Sequence, residues 1–220
     1  KSGFGRLANK HRVAFVFPDT SPRNTNIENI ADDWEMGESA GYYVNATSDK
    51  CKKHFNMWSY VTEELPEIVS SYFPVRKDNA SITGFSMGGH GALIAALKTG
   101  NYRSVSAFAP MGNPTKSENW GQKAFKLFFN KPEEEGANYD TTEILKSGKY
   151  HKVPMFIERG TKDPFAEKMK FENLVEEVQK HDDLECRIEY RPHYNHSFYY
   201  VSSFLEEHVE FHVKYLNWYA

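Results

Sequence analysis

Three side chains have the types and the order along the chain that nucleophilic hydrolysis requires. Ser86 is the centre of a Gly-x-Ser-x-Gly pattern at residues 84–88, and Asp163 and His196 follow it. A serine hydroxyl is a weak nucleophile unless a base takes its proton, and that base needs a carboxylate to fix its tautomer. The sequence therefore predicts a catalytic triad with Ser86 as nucleophile, Asp163 as acid and His196 as base.

The residues around Ser86 predict the sharp turn called a nucleophile elbow. A predicted strand at residues 80–84 precedes the serine, and a predicted helix at residues 87–98 follows it. We expect the glycines at positions 84 and 88 to allow a turn that exposes the hydroxyl. The Met87 amide, at the start of the helix, is then placed to bind an oxyanion. The pattern alone also fits a turn or a pair of helix-packing glycines, but the flanking elements favour the elbow.

The acid and the base each follow a predicted strand. Asp163 comes after the strand at residues 153–158, and His196 after the strand at residues 184–191. Asp163 could instead be the N-cap of the helix predicted at residues 165–180. His193 is the one rival for the role of base. His196 is preferred because it lies directly before the start of the closing helix.

The rest of the chain alternates between strands and helices, which predicts an α/β fold with a mainly parallel sheet. The apolar run at residues 13–17 predicts a strand buried on both faces. A long loop at residues 20–50 is expected to be functional. The remaining predictions are a helix at residues 7–12, a helix at 55–72 that breaks near Pro66, a strand at 104–109, a cap near 131–136 and a helix at 199–216.

Composition excludes several classes of protein. The chain has 220 residues and a net charge of -3, so a basic nucleic-acid-binding surface is not expected. The longest apolar run, at residues 92–97, is far too short to cross a bilayer. Cys51 and Cys186 form no Cys-x-x-Cys motif, which favours a reducing compartment. His208 and His212 share a helix face, but Glu210 is not where a zinc peptidase has its base, so we expect a solvated face and no metal.

Longer stretches of the sequence match one family almost from end to end. The chain resembles the S-formylglutathione hydrolases, the esterase D family of serine hydrolases with an α/β-hydrolase fold. The matching stretches are residues 17–23 (FPDTSPR), 41–47 (GYYVNAT), 60–66 (YVTEELP), 86–93 (SMGGHGAL), 104–110 (SVSAFAP), 120–125 (WGQKAF), 163–165 (DPF) and 196–200 (HSFYY).

The resemblance implies an activity and assigns roles to residues. It implies hydrolysis of the thioester S-formylglutathione to glutathione and formate through a formyl-enzyme, with side activity on small acyl esters. It also implies no cofactor, a cytoplasmic location and a homodimer. It assigns the triad to Ser86, Asp163 and His196, and one oxyanion amide to Met87. Trp120 falls in the motif beside the substrate pocket, although it could equally be a loop anchor packed on the core.

The sequence also departs from the family at several positions. Phe85 replaces the usual histidine before the nucleophile, Ser39 replaces a glycine, and Asn195 replaces the usual aspartate before the base. The chain starts at Lys1, so we expect residues 1–220 to be a single α/β-hydrolase domain truncated at its N-terminus. The strands that precede this point in the family, one of them central, and the loop with the second oxyanion amide would then be missing. A general carboxylesterase and a catalytically impaired truncated form remain alternatives.

Overall fold

The computed structural model describes residues 3–30 and 34–216 of the chain. Within those ranges one parallel sheet contains strands β1 (Ile82–Phe85), β2 (Val105–Phe108), β3 (Met155–Gly160) and β4 (Cys186–Arg191), in that order. The register pairs Phe85 with Phe108, and Phe108 with Glu158. The carboxyl ends of the strands therefore lie at one edge of the sheet, and the predicted α/β fold is confirmed.

Helices connect and cover these strands. They are α1 (Phe4–His11), α2 (Met57–Ser59), a π-helix (Tyr60–Glu64), α3 (Leu65–Tyr72), α4 (Met87–Thr99), a 3₁₀ turn (Pro114–Lys116), α5 (Gly121–Phe128), α6 (Pro132–Glu135), a second 3₁₀ turn (Gly136–Tyr139), α7 (Thr141–Ser147), α8 (Phe171–Val178) and α9 (Phe198–Tyr215). No helix of the described ranges is long and apolar enough to span a bilayer.

Successive side chains of β2 and β3 point to opposite sides of the sheet. Val105 and Ile157 belong to an apolar cluster that also contains side chains of α4 and α8. Ser106 and Phe108 face α9 instead, where they contact its histidines. The sheet thus has a mainly apolar side against α4 and α8, with Arg159 of β3 over the Phe171 ring at its end, and a more polar side against α9.

The prediction of a buried strand at residues 13–17 is wrong. This segment is irregular, and Val16 and Phe17 are 46% and 66% exposed. Phe15 and Phe17 pack edge-on against Phe4 of α1, with ring centroids 5.0 and 4.8 Å apart. A strand needs a neighbour to accept and donate its ladder hydrogen bonds, and no described segment lies beside residues 13–17 as a partner strand.

The helices predicted at residues 55–72 and 165–180 both differ from the structure for reasons found in the local backbone. The kink or break expected near Pro66 is present only as a local distortion: a π-helix precedes the proline, but the backbone stays helical from Met57 to Tyr72. Proline cannot donate the usual backbone hydrogen bond to the residue four positions earlier, Thr62. The helix predicted at residues 165–180 begins only at Phe171, since Lys170 adopts a left-handed backbone conformation with φ 53°. Residues 163–170 form turns instead, and this segment holds Asp163.

Candidate active site

Ser86 lies in a sharp turn between β1 and α4. Its φ of 59° is in the region that non-glycine residues rarely adopt, as a nucleophile elbow requires. A Cβ atom at Gly84 would lie 2.1 Å from the Gly88 carbonyl oxygen, so only glycine fits at position 84. The predicted need for glycine at position 88 is wrong, because a Cβ there would be 3.9 Å from the nearest atom, the Tyr43 hydroxyl oxygen.

Further along α4, Gly91 has the close approach that was expected at Gly88. A Cβ at Gly91 would lie 2.3 Å from the Tyr43 ring. The Tyr43 ring therefore packs directly on the backbone of the helix that starts at the elbow. The elbow pattern predicted a close contact of a glycine within the turn itself. The contact at Gly91 is instead with Tyr43, in a loop more than 40 residues earlier in the chain.

The Met87 amide and the Ser86 hydroxyl are the two polar groups of the elbow that hydrolysis would use. The Met87 amide belongs to the first residue of α4 and so has no acceptor within the helix, which leaves it free to bind an oxyanion. The Ser86 hydroxyl donates to the Met169 sulfur at 3.9 Å. It does not form a hydrogen bond with His196, and catalytic hydrogen bonds are often formed only when substrate is bound.

Asp163 and His196 form a short hydrogen bond. The distance from His196 Nδ1 to Asp163 Oδ2 is 2.7 Å, and the Asp163 carboxylate is entirely buried. Its other oxygen accepts the Phe165 amide at 2.8 Å within a turn. Because α8 begins only at Phe171, with Lys170 at its N-cap position, the alternative role of Asp163 as a helix N-cap is wrong. With Nδ1 held by the carboxylate, the neutral ring keeps Nε2 as a proton acceptor.

The two loops that carry this pair are joined by backbone hydrogen bonds. The Lys162 amide donates to the Tyr194 carbonyl at 2.9 Å, and the Thr161 amide donates to the Arg191 carbonyl at 2.9 Å. His193, the rival base, is exposed with φ 69°, and its amide donates to the Thr161 hydroxyl. The geometry therefore favours His196 over His193 as the base.

Two aromatic side chains enclose the His196 ring. The Phe85 centroid is 4.5 Å away with an interplanar angle of 33°, and the Phe165 centroid is 5.3 Å away at 83°. Since Phe85 directly precedes Ser86, its contact brings the histidine beside the serine. Sequence reasoning noted Phe85 only as a departure from the family, because the sequence does not reveal that its ring faces the base.

Trp120 lies one aromatic ring further from the base. Its ring centroid is 5.2 Å from that of Phe165, and its indole nitrogen donates to a Glu35 carboxylate oxygen at 2.5 Å. The side chain is 8% exposed. The Lys168 ammonium lies over the ring, 5.5 Å from its centroid. This environment fits a loop anchor and is also compatible with a pocket wall.

A second serine–histidine group lies on the α9 side of the sheet. His212 Nδ1 is 2.7 Å from the Ser104 hydroxyl oxygen, and Nε2 is 2.8 Å from that of Ser106. Both serines are fully buried and His212 is 8% exposed, so the predicted solvated face at His208 and His212 is wrong. Burial lowers the pKa of His212 to about 3. With both nitrogens engaged and no carboxylate bonded to the ring, this group is not an activated nucleophile.

Comparisons with known proteins agree with the resemblance read from the sequence. The family model described as "Putative esterase" matches residues 1–211. S-formylglutathione hydrolases of Mus musculus and Bos taurus are 42% and 40% identical, each alignment covering 99% of this chain and 77% of the relative. A solved S-formylglutathione hydrolase from Agrobacterium tumefaciens superimposes with a TM-score of 0.91 at 32% identity, over 99% of this chain and 78% of that one. The chain therefore belongs to the S-formylglutathione hydrolase family of esterases.

Proposed function

We propose that this chain hydrolyses S-formylglutathione to glutathione and formate, with Ser86 as nucleophile, His196 as base and Asp163 as the acid that orients the base. The observation that carries the proposal is the joint occurrence of a strained elbow at Ser86, with φ 59°, and a buried carboxylate 2.7 Å from His196. The comparisons support the choice of substrate, because the relatives at 42% and 40% identity are named S-formylglutathione hydrolases.

The reaction begins with a rotation of the Ser86 side chain. The hydroxyl, which donates to the Met169 sulfur in the structure, turns to donate to His196 Nε2 when substrate is bound. His196 accepts the hydroxyl proton as the serine oxygen attacks the formyl carbon, and the negative charge moves to the formyl oxygen. The Met87 amide donates a hydrogen bond to that oxygen. Asp163 stabilises the imidazolium by accepting from Nδ1.

Collapse of this intermediate breaks the carbon–sulfur bond. The glutathione sulfur leaves with the proton held by His196, and the formyl group stays on Ser86 as an ester. Water then attacks the ester carbon while His196 takes one of its protons. His196 returns its proton to the Ser86 oxygen as the carbon–oxygen bond breaks, and the released formic acid loses its remaining proton to solvent to give formate. No cofactor is needed in this cycle, because the serine, the histidine and water supply all of the atoms exchanged.

The proposal also covers the organisation of the protein. Residues 1–220 would act as one domain, which is supported by contacts between the first and last helices: Leu7 packs with Leu205 and Val209, and Arg6 lies 2.6 Å from Glu206. A role of Trp120 in lining the acyl or thiol pocket is supported by its contact with Phe165. The family resemblance supports a cytoplasmic location and a homodimer. Light scattering of the purified protein tests the homodimer directly.

Substrate competition tests the proposed reaction. The ratio of kcat/KM for S-formylglutathione to that for 4-nitrophenyl acetate is expected to be well above one. A ratio below one would favour the general carboxylesterase. Intact mass after treatment with a serine-directed phosphonate is expected to show one adduct, located on Ser86 and absent from Ser86→Ala. Folded protein that takes no label would instead support the catalytically impaired form.

A further inference from the structure

The side chain before the nucleophile lies against the ring of the base. Phe85 contacts His196 at a centroid separation of 4.5 Å with the planes inclined by only 33°, so its π face is turned toward the imidazole. Phe198, 77% exposed, packs on Phe85 at 5.5 Å. Phe165 meets the imidazole nearly at right angles. Of these ring neighbours, Phe85 is the one whose face is closest to parallel with the base.

This arrangement matters because the charge of His196 changes during the reaction. The ring is neutral before the attack and becomes a cation when it takes the serine proton. The face of an aromatic ring carries negative potential and attracts a cation within about 6 Å of its centroid. Asp163 acts on the same ring from the side of Nδ1, by a hydrogen bond, and Phe85 and Phe165 carry no ionisable group. The protonated ring is therefore favoured from two directions.

We propose that Phe85 is a positioning residue that holds the His196 ring by its π face and favours the protonated ring over the neutral one. The inference deepens the proposed function and rests on it for its catalytic consequence. Phenylalanine has no ionisable group, so Phe85 presents the same negative face at every pH.

Fluorination of Phe85 tests the ring potential without changing the shape of the ring. Incorporation of 4-fluoro-, 3,5-difluoro- and 3,4,5-trifluorophenylalanine weakens the negative face in steps. We expect the rate of acylation of Ser86 to fall in the same steps, by roughly 2- to 30-fold across the series, with KM little changed. The same series at Phe198, which contacts Phe85 and is exposed, is the matched control and is expected to leave the rate within about 2-fold.

A second readout does not depend on turnover. The midpoint of the His196 protonation, followed by NMR of the imidazole, is expected to move to lower pH along the Phe85 series, because a weaker face stabilises the cation less. The shift expected is up to about one pH unit. Phe85→Leu should resemble the trifluoro variant because it has no aromatic face. Phe85→Tyr keeps an aromatic face, so its rate and midpoint should stay close to those of the parent protein.

The outcomes separate the two proposals. A flat series at Phe85 in both readouts would overturn the role of Phe85, even if Ser86 is labelled and turnover is normal. An ordered shift of the NMR midpoint in a chain whose Ser86 takes no phosphonate would support the effect of Phe85 on the ring and overturn the proposed function. Loss of fold in any variant is excluded by the unfolding transition, which fluorination is expected to leave within a few degrees.

Discussion

Two histidines in the described part of the chain, His196 near Ser86 and His212 beside Ser104 and Ser106, each form a hydrogen bond of 2.7 Å. His196 is 2.7 Å from the Asp163 carboxylate and keeps Nε2 unoccupied, whereas His212 is 2.7 Å from Ser104 and uses its other nitrogen for Ser106. The first group lies where the parallel strands end, and the second is enclosed between the sheet and α9. The difference shows that a serine–histidine distance alone does not identify an active site. A carboxylate partner and a free ring nitrogen do.

The surroundings of the buried group explain why it stays neutral. Phe108 and Phe156 stack on His208 at centroid separations of 3.6 and 4.1 Å, one helical turn from His212. Desolvation lowers the pKa of His208, although the Glu158 carboxylate 3.5 Å from its ring has the opposite effect. These histidines hold α9 on the sheet by packing and hydrogen bonds, and their burial opposes the charge that catalysis would require.

Substitution of Ser86 and of Ser104 should give the largest difference in activity between the two histidine sites. Ser86→Ala removes the nucleophile and is expected to lower kcat/KM by at least about 10⁴-fold. Ser104→Ala leaves His212 without one hydrogen-bond partner, so we expect a loss of about 1–3 kcal/mol in the free energy of unfolding and a kcat/KM within about 3-fold of the parent. Steady-state kinetics and urea unfolding of both variants make the comparison. A large kinetic defect in Ser104→Ala would mean that the buried group supports catalysis.

Removal of the orienting charge should have the next largest effect. Asp163→Asn is expected to hold His196 in the wrong tautomer and to lower kcat by about 10³- to 10⁴-fold. The amide oxygen can still accept the Phe165 amide, so the loop should keep its turn and the unfolding transition should shift little. The measurement is kcat with the phosphonate labelling rate as an independent check. A variant with near-normal kcat would show that another carboxylate orients the base.

The buried histidines should make the fold sensitive to acid. Burial lowers the pKa of His90 to about 4 and that of His212 to about 3, while an unfolded histidine has a pKa of about 6.5. The unfolded state therefore binds more protons below about pH 6.5, and the free energy of unfolding should fall as the pH falls from there to about 4. Each such histidine contributes up to about 1.4 kcal/mol per pH unit.

His212→Asn tests this origin of the acid sensitivity. The asparagine side chain does not titrate, so the slope of unfolding free energy against pH should decrease by the share of one histidine. Ser104→Ala keeps the histidine and is the control, with a lower stability and an unchanged slope. Denaturant unfolding at several pH values between about 4 and about 6.5 gives both quantities. An unaltered slope in His212→Asn would show that other groups cause the acid dependence.

The smallest effect is expected at Asn195, next to the base. This residue is exposed. Asn195→Asp adds a negative charge that favours the imidazolium, so the acid limb of kcat/KM against pH should move upward by a few tenths of a unit. The shift should shrink at high salt because the charge is exposed. A shift toward lower pH would contradict this sign.

Local patterns in the sequence were sufficient for the elbow and for the order of its partners. Ser86 lies between a short strand and a helix of small residues, and Asp163 and His196 follow strands, so strand order and motif spacing predicted their loops. The strand expected at residues 13–17 failed because an apolar run does not specify a neighbour with which to pair. The positions of Met169 and Tyr43 at the elbow depend on loops folded from distant segments, for which the sequence gives no periodic signal.

The burial of His208 and His212 could have been inferred from a different pattern. Ser104 and Ser106 alternate on one side of an otherwise apolar strand, which indicates polar partners on the element that covers it. The spacing of the two histidines on α9, taken alone, indicated a solvated face. The two elements had to be considered together, because a polar face on a buried strand and a polar face on a covering helix satisfy each other.

Helix α9 connects the loop of the base with the buried His212 through one rigid element. It begins at Phe198, two residues after His196, and reaches His212 after 14 further residues, or about 21 Å. A tilt of only about 3° about the His212 end would move the His196 end by roughly 1 Å, a displacement large enough to reduce catalysis by about 10²-fold. Laboratory evolution of this enzyme for new acyl groups is therefore expected to accumulate substitutions around His212, at the end of α9 remote from His196.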